Sequence, residues 1–172
     1  ALAGSVNTVS VKLLEKTGIS NAIATAERMG ISSELPAVPS LALGTASISV
    51  IEMVGAYAVF ANQGNYVAPR FITSITTSKG VVLEDFSERP AAVSALSKET
   101  AAMMLHMLKR VVNEGTGSGL RSTYGLTNDI AGKTGTTQAN ADGWFIGITP
   151  KLVMGCWIGA DDPAIHFKTT AM

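Results

Sequence analysis

The chain has 172 residues, 47% of them hydrophobic, and its thirteen basic and thirteen acidic side chains leave a formal net charge of zero. That is enough for one domain with a sizeable core, which excludes a disordered or low-complexity protein, and the neutral balance argues against nucleic-acid binding, which needs clustered cations. A lone Cys156 and two histidines, His106 and His166, rule out an internal disulfide and leave no metal-binding cluster, and nothing calls for a cofactor.

The longest apolar runs, such as Leu152 to Ala160, are too short to cross a bilayer as a helix. The opening Ala1-Leu2-Ala3-Gly4 lacks the basic start and apolar run of a secretory signal. Patterned sequence begins at once, without Met, which points to a fragment of a longer protein.

In chain order, Val6 to Lys16 and Ser20 to Met29 read as two helices joined at Gly18, with Ser20 as N-cap and Gly30 as a left-handed stop. Two prolines make Leu35 to Ser40 an extended connection. Ser49-Val50-Ile51-Glu52 fits a capping box, and Val50, Met53, Val54, Tyr57, Ala58 and Ala61 follow at helical spacing as a buried face. Tyr66 to Phe86 favours strands with a hairpin turn at Ser78-Lys79-Gly80. Ser97 caps a further helix with the apolar face Ala101, Met104, Leu105, Leu108, Val111 and Val112, which Gly115 stops. Gly115 to Asp129 is a surface loop by composition.

The last third reads as a meander of strands, Ile130 to Thr137, Gly143 to Thr149 and Leu152 to Gly159, with the final two antiparallel across Thr149-Pro150-Lys151. Continuous apolar runs such as Trp144-Phe145-Ile146 predict a sheet covered by helices on both faces, with Cys156 a buried thiol and Trp144 and Trp157 packed in the core or under the sheet. His106 falls on the polar side of its helix, Asp161-Asp162-Pro163 is a turn signal, and the whole is an α+β fold.

Two stretches carry chemistry. Gly132-Lys133-Thr134-Gly135-Thr136-Thr137 is a strand with a cation, flanking hydroxyls and an interior glycine that weakens it unless a ligand or another backbone comes close. Lys133, Thr134 and Thr136 suit a carboxylate, and the strand suits main-chain pairing with an extended peptide; the competing explanation is a plain hairpin end with solvated polar groups. Ser5-Val6-Asn7 sets a hydroxyl beside an amide at the start of a helix, although Ser and Asn are also the residues that cap helices.

Taken together, Ser5-Val6-Asn7 and Lys133-Thr134-Gly135 resemble the second and third motifs of the serine acyltransferases that recognise penicillin, which carry Ser-x-x-Lys, Ser-x-Asn and Lys-Thr-Gly in that order. Pro39 to Gly44, Glu52-Met53, Ala56 to Gly64, Val111 to Gly117 and Asp142 to Pro150 are similar to the transpeptidase domain of class A penicillin-binding proteins, over nearly the whole chain. No Ser-x-x-Lys occurs; Thr76-Thr77-Ser78-Lys79 has Thr in place of Ser, sits in the hairpin and follows Ser-x-Asn, so it does not qualify.

The resemblance implies that residues 1–172 are the C-terminal part of a peptidoglycan D,D-transpeptidase domain whose nucleophilic serine lies upstream, leaving this fragment inactive alone. It implies that Ser5 passes a proton to the leaving amine, that Asn7 holds the substrate amide, and that Lys133 supplies positive potential. Thr134, Gly135, Thr136 and Thr137 would bind substrate, with the Thr136 amide as an oxyanion-hole donor. The implied partners are D-Ala-D-Ala stem peptides, β-lactams and the upstream half of the same domain. The implied parent is anchored at the outer face of the bacterial cytoplasmic membrane and often carries a glycosyltransferase domain. A serine β-lactamase-like hydrolase and a non-catalytic penicillin- or stem-peptide-sensing module are the alternatives.

Overall fold

The computed structural model describes residues 1–162 and 164–169. Pro163 of the expected Asp161-Asp162-Pro163 turn lies outside them, as does the chain end from Thr170.

Helices α1 (Asn7–Thr17) and α2 (Ile19–Arg28) meet at Gly18, whose φ is +85°. Ser20 is not the N-cap expected of it, because Gly18 ends one helix and begins the next, which puts Ser20 inside the first turn of α2. The two-proline connection is also not extended throughout: Pro39 opens a 3-10 helix, Pro39–Leu43, which ends at a left-handed Gly44. Proline suits a first helical position because its φ is preset and it has no amide to satisfy.

Helix α3 (Val50–Ala61) begins with the expected capping box: the Glu52 amide donates to Ser49 Oγ at 3.3 Å, and the Ser49 amide donates to Glu52 Oε2 at 3.2 Å. The same carboxylate accepts from the amide and hydroxyl of Ser32, at 2.9 and 2.8 Å, and from those of Ser33, at 2.7 and 2.8 Å. Bonds from Ser49 first, then Ser33 and Ser32, hold the Glu52 carboxyl far below its ordinary 4.5. Its folded value lies below its unfolded one, so the clamp contributes its full stability above about pH 4.5 and loses it as the pH falls from there. Glu52→Gln is therefore expected to lower the melting temperature at neutral pH and to flatten the acid limb of the stability profile. Melting curves from pH 7 to 3 check this, and parallel acid limbs in both proteins would refute it.

The buried residues of α3 are Ala56, Val59 and Phe60 rather than the expected stripe, and Ala61 is exposed. The helix is apolar on nearly every side, so periodicity alone does not select which stripe faces the core. A short pair, β1 (Asn65–Tyr66) with β4 (Val93–Ser94), follows, along with the expected hairpin of β2 (Ser74–Thr76) and β3 (Val82–Asp85). Helix α4 (Lys98–Glu114) is capped by Ser97, whose hydroxyl accepts from the Thr100 amide at 3.1 Å, and it buries Ala101, Leu108, Val111 and Val112. His106 is exposed, as its place on the polar side implies. The stretch read as loop contains a further short helix, α5 (Gly119–Ser122). Arg121 of α5 donates to the Leu126 and Asn128 carbonyls at 2.6 and 2.8 Å, a local staple across the following turn that composition does not reveal.

Strands β5 (Ala131–Thr136), β6 (Asp142–Ile148) and β7 (Val153–Gly159) form an antiparallel sheet in that order. Phe60 of α3, Leu108 of α4, Ala131 of β5 and Ile148 of β6 form one buried cluster, so both long helices lie on one face. A Cβ on Gly155 would come within 2.6 Å of Val54, so glycine is what lets α3 lie flat across β7. Along β7 the opposite face is exposed rather than covered: Met154 is 51% exposed, Ile158 42%, and Cys156 is exposed rather than buried. Trp157 is 39% exposed, with its indole N–H donating to Asp142 Oδ2 at 3.0 Å, while Trp144 is half-buried. An apolar strand satisfies the sequence pattern for a doubly covered sheet whether or not a second layer is there.

Candidate active site

The core fixes β5. Ala131 and Thr134 are buried, at 2% and 6% exposure, so the strand is held on both sides of Lys133. On its far side from β6, β5 has no neighbouring strand among the described residues, which leaves its main-chain groups open to an extended ligand.

From this anchored strand the half-buried Lys133 Nζ donates to Ser5 Oγ at 2.9 Å, joining residues 128 positions apart, and to the Thr134 carbonyl at 2.7 Å. Burial pushes the Lys133 ammonium below its ordinary 10.5, and it makes no ion pair among the described residues. Its charge is thus available to a ligand, and its proton is held less tightly than in water.

Ser5 and Asn7 are not at work as helix caps. The N-cap of α1 is Val6, no side chain caps the helix, and Asn7 is its exposed first residue. Ser5 instead has a left-handed φ of +51°, a conformation costing a non-glycine residue about 1–3 kcal/mol. The turn is held by its own backbone, with Ser5 N–H donating to Leu2 O at 3.1 Å and Val6 N–H to Ala1 O at 3.2 Å. Accepting from Lys133 leaves the Ser5 hydroxyl proton free to be donated, while the ammonium stands ready to replace it.

The remaining residues of the strand divide. Thr136 and Thr137 are exposed at its open end, and Thr137 Oγ1 accepts from the Asp142 amide at 3.0 Å. The expected contact of the Thr134 hydroxyl with a carboxylate is not open here, because that side chain is buried and its Oγ1 lies 2.5 Å from Thr116 Oγ1. Gly135 has a structural reason as well as the expected ligand-side one: a Cβ would come within 3.2 Å of Trp144 Cβ on the facing strand. Thr116 received no role from sequence; its signal lay in Val111 to Gly117, where resemblance marked the stretch without assigning a function.

No group of three or more His, Cys, Asp or Glu among the described residues is placed to hold a metal ion. The groups brought together are of the kinds that proton transfer and anion binding use. They are a hydroxyl and an ammonium in contact, an amide two residues away, and a free strand edge.

Residues 1–158 match the penicillin binding protein transpeptidase domain family. Penicillin-binding protein 1A of Aquifex aeolicus is 39% identical over 161 residues, which is 94% of this chain and 21% of that protein. Penicillin-binding protein 2D of Bacillus subtilis is 41% identical over 164 residues, 94% of this chain and 23% of its own length. The chain thus spans between a fifth and a quarter of these relatives. Among solved structures, penicillin-binding protein 1A from Haemophilus influenzae superposes with a TM-score of 0.85 at 25% identity, covering 96% of this chain and 30% of that one. PonA1 from Mycobacterium tuberculosis in complex with penicillin V superposes at 0.72 with 28% identity, over 87% of this chain and 43% of that one.

Proposed function

Because this chain belongs to the penicillin-binding protein transpeptidase family, we propose that residues 1–172 are the substrate-binding part of a serine-type D,D-transpeptidase domain that cross-links peptidoglycan. The observation that carries this reading is the 2.9 Å contact between Lys133 Nζ and Ser5 Oγ, for which helix capping offers no alternative explanation.

In this reading a serine on a segment outside residues 1–172 gives its proton to the lysine of its own Ser-x-x-Lys motif and attacks the carbonyl between the two terminal D-alanines of a stem peptide, and the leaving D-alanine amine takes its proton from Ser5. Lys133 resupplies Ser5 and its charge draws the substrate carboxylate. The exposed hydroxyls of Thr136 and Thr137 meet that carboxylate, while Gly135 keeps the strand slim enough for the peptide to lie along it. Asn7 holds the substrate amide. The Thr136 N–H completes an oxyanion hole, each donor of which is worth about 2.7–4 kcal/mol of transition-state stabilisation. The acyl group then passes to an amine of a neighbouring stem, so one difficult amide exchange becomes two easier steps. A β-lactam enters by the same route, which the penicillin V complex of the similar PonA1 supports. The full-length protein is assigned to the outer face of the cytoplasmic membrane; no described helix is long and apolar enough to cross a membrane, so this reading puts the anchor on another segment.

Intact mass after incubation with benzylpenicillin tests the reading. The 172-residue chain is expected to gain no mass, and the full-length protein one penicillin per molecule. An adduct on a serine of residues 1–172 would require a different nucleophile, and an unmodified full-length protein would refute the transpeptidase assignment.

A further inference from the structure

The Ser5–Lys133 contact joins two segments that share no strand or helix, so something must hold them in register. The loop after α4 lies against both. Gly115 and Gly117 donate their amides to the carbonyl of the fully buried Val111, at 3.1 and 3.0 Å, which ties the loop to the core. From there the Thr116 amide donates to Ala3 O at 3.0 Å, two residues before Ser5. The Thr116 hydroxyl lies 2.5 Å from that of Thr134, the residue next to Lys133. Gly115 makes the approach possible, since a Cβ there would lie 2.2 Å from Ala3 O. Lys133 and Thr134 leave β5 on opposite sides, so the two bonds of Thr116 and the Lys133–Ser5 bond close a ring through both segments.

Resting on the transpeptidase reading above, we propose that Thr116 is a positioning residue that sets the distance between Ser5 Oγ and Lys133 Nζ. Its backbone fixes the turn bearing Ser5 and its hydroxyl fixes the strand bearing Lys133. It acts through those groups and makes no contact with substrate.

The test uses the full-length protein with Thr116→Val, which keeps shape and amide but loses the hydroxyl, and Thr116→Ser, which keeps the hydroxyl. Acylation by a fluorescent penicillin, followed to saturation, separates the non-covalent dissociation constant from the acylation rate constant. T116V is expected to slow the acylation step about tenfold, short of the ~10²-fold loss that a 1 Å misplacement brings, with the dissociation constant within about twofold of the parent. T116S is expected to restore most of the rate. An unchanged acylation step in T116V, or T116S as slow as T116V, would overturn the proposal. So would a loss confined to the dissociation constant, which would make Thr116 a ligand contact. In each of these outcomes the parent protein still acylates, whereas failure of the transpeptidase reading would appear as a parent that takes up no penicillin.

Discussion

Replacing Lys133 by alanine in the full-length protein is expected to slow acylation by benzylpenicillin by ~10²–10⁴-fold, the range for a positioned acid–base group. Lys133 is the cation in contact with Ser5 Oγ, and it forms no ion pair among the described residues, so no neighbouring carboxylate neutralises the charge that the substitution removes. Lys133→Arg is expected to recover little. A guanidinium keeps its proton at every accessible pH and presents a planar fork where the site holds a compact ammonium. Stopped-flow acylation with a fluorescent penicillin reads the rate, and a Lys133→Ala protein within about threefold of the parent would remove Lys133 from the proton path assigned to it.

Leu108→Ala should have the largest effect on stability. Leu108 is 1% exposed and packs in one cluster with Phe60, Ala131 and Ile148, where α3, α4 and two strands meet. Truncation there leaves a cavity bounded by α3, β5 and β6, and such substitutions cost about 2–5 kcal/mol. Leu108→Met nearly conserves volume and is expected to cost less than about 1.5 kcal/mol. Denaturant unfolding of the full-length protein measures both, and a loss under about 1 kcal/mol for Leu108→Ala would mean that the cluster repacks freely. Since Ala131 stands two residues before Lys133, the same substitution should also slow acylation, through the strand rather than the chemistry.

What the sequence made legible follows the range of the interactions involved. The Ser49–Glu52 box, the Ser97 cap and the Thr149 turn are set by residues within four positions of one another, and each formed where expected. The meander followed from continuous apolar runs and a short turn, and Ser5 and Lys133 stood out by their motifs; the structure places these two side chains in contact. Long-range features stayed hidden. The Ser32 and Ser33 bonds to Glu52 and the link from Thr116 to Ala3 and Thr134 all depend on how distant segments meet. Cys156 shows the reverse failure: an apolar strand identifies a residue that prefers burial, but exposure depends on whether a covering layer exists.

The separation of Ser5 from Lys133 by 128 residues has a consequence for biogenesis. At about 5–20 residues per second, a ribosome that has just made the Ser5 turn needs roughly 6–26 s to reach Lys133. Throughout that interval the left-handed serine has no distant partner, and neither β5 nor the loop after α4 is there to hold it. Closing so long a loop is entropically costly, and the cost is recovered only when α4, β5 and the turn have all docked. The Ser5–Lys133 contact thus cannot form before β5 has been made, and a nascent chain stalled short of β5 would carry the Ser5 turn without its partner.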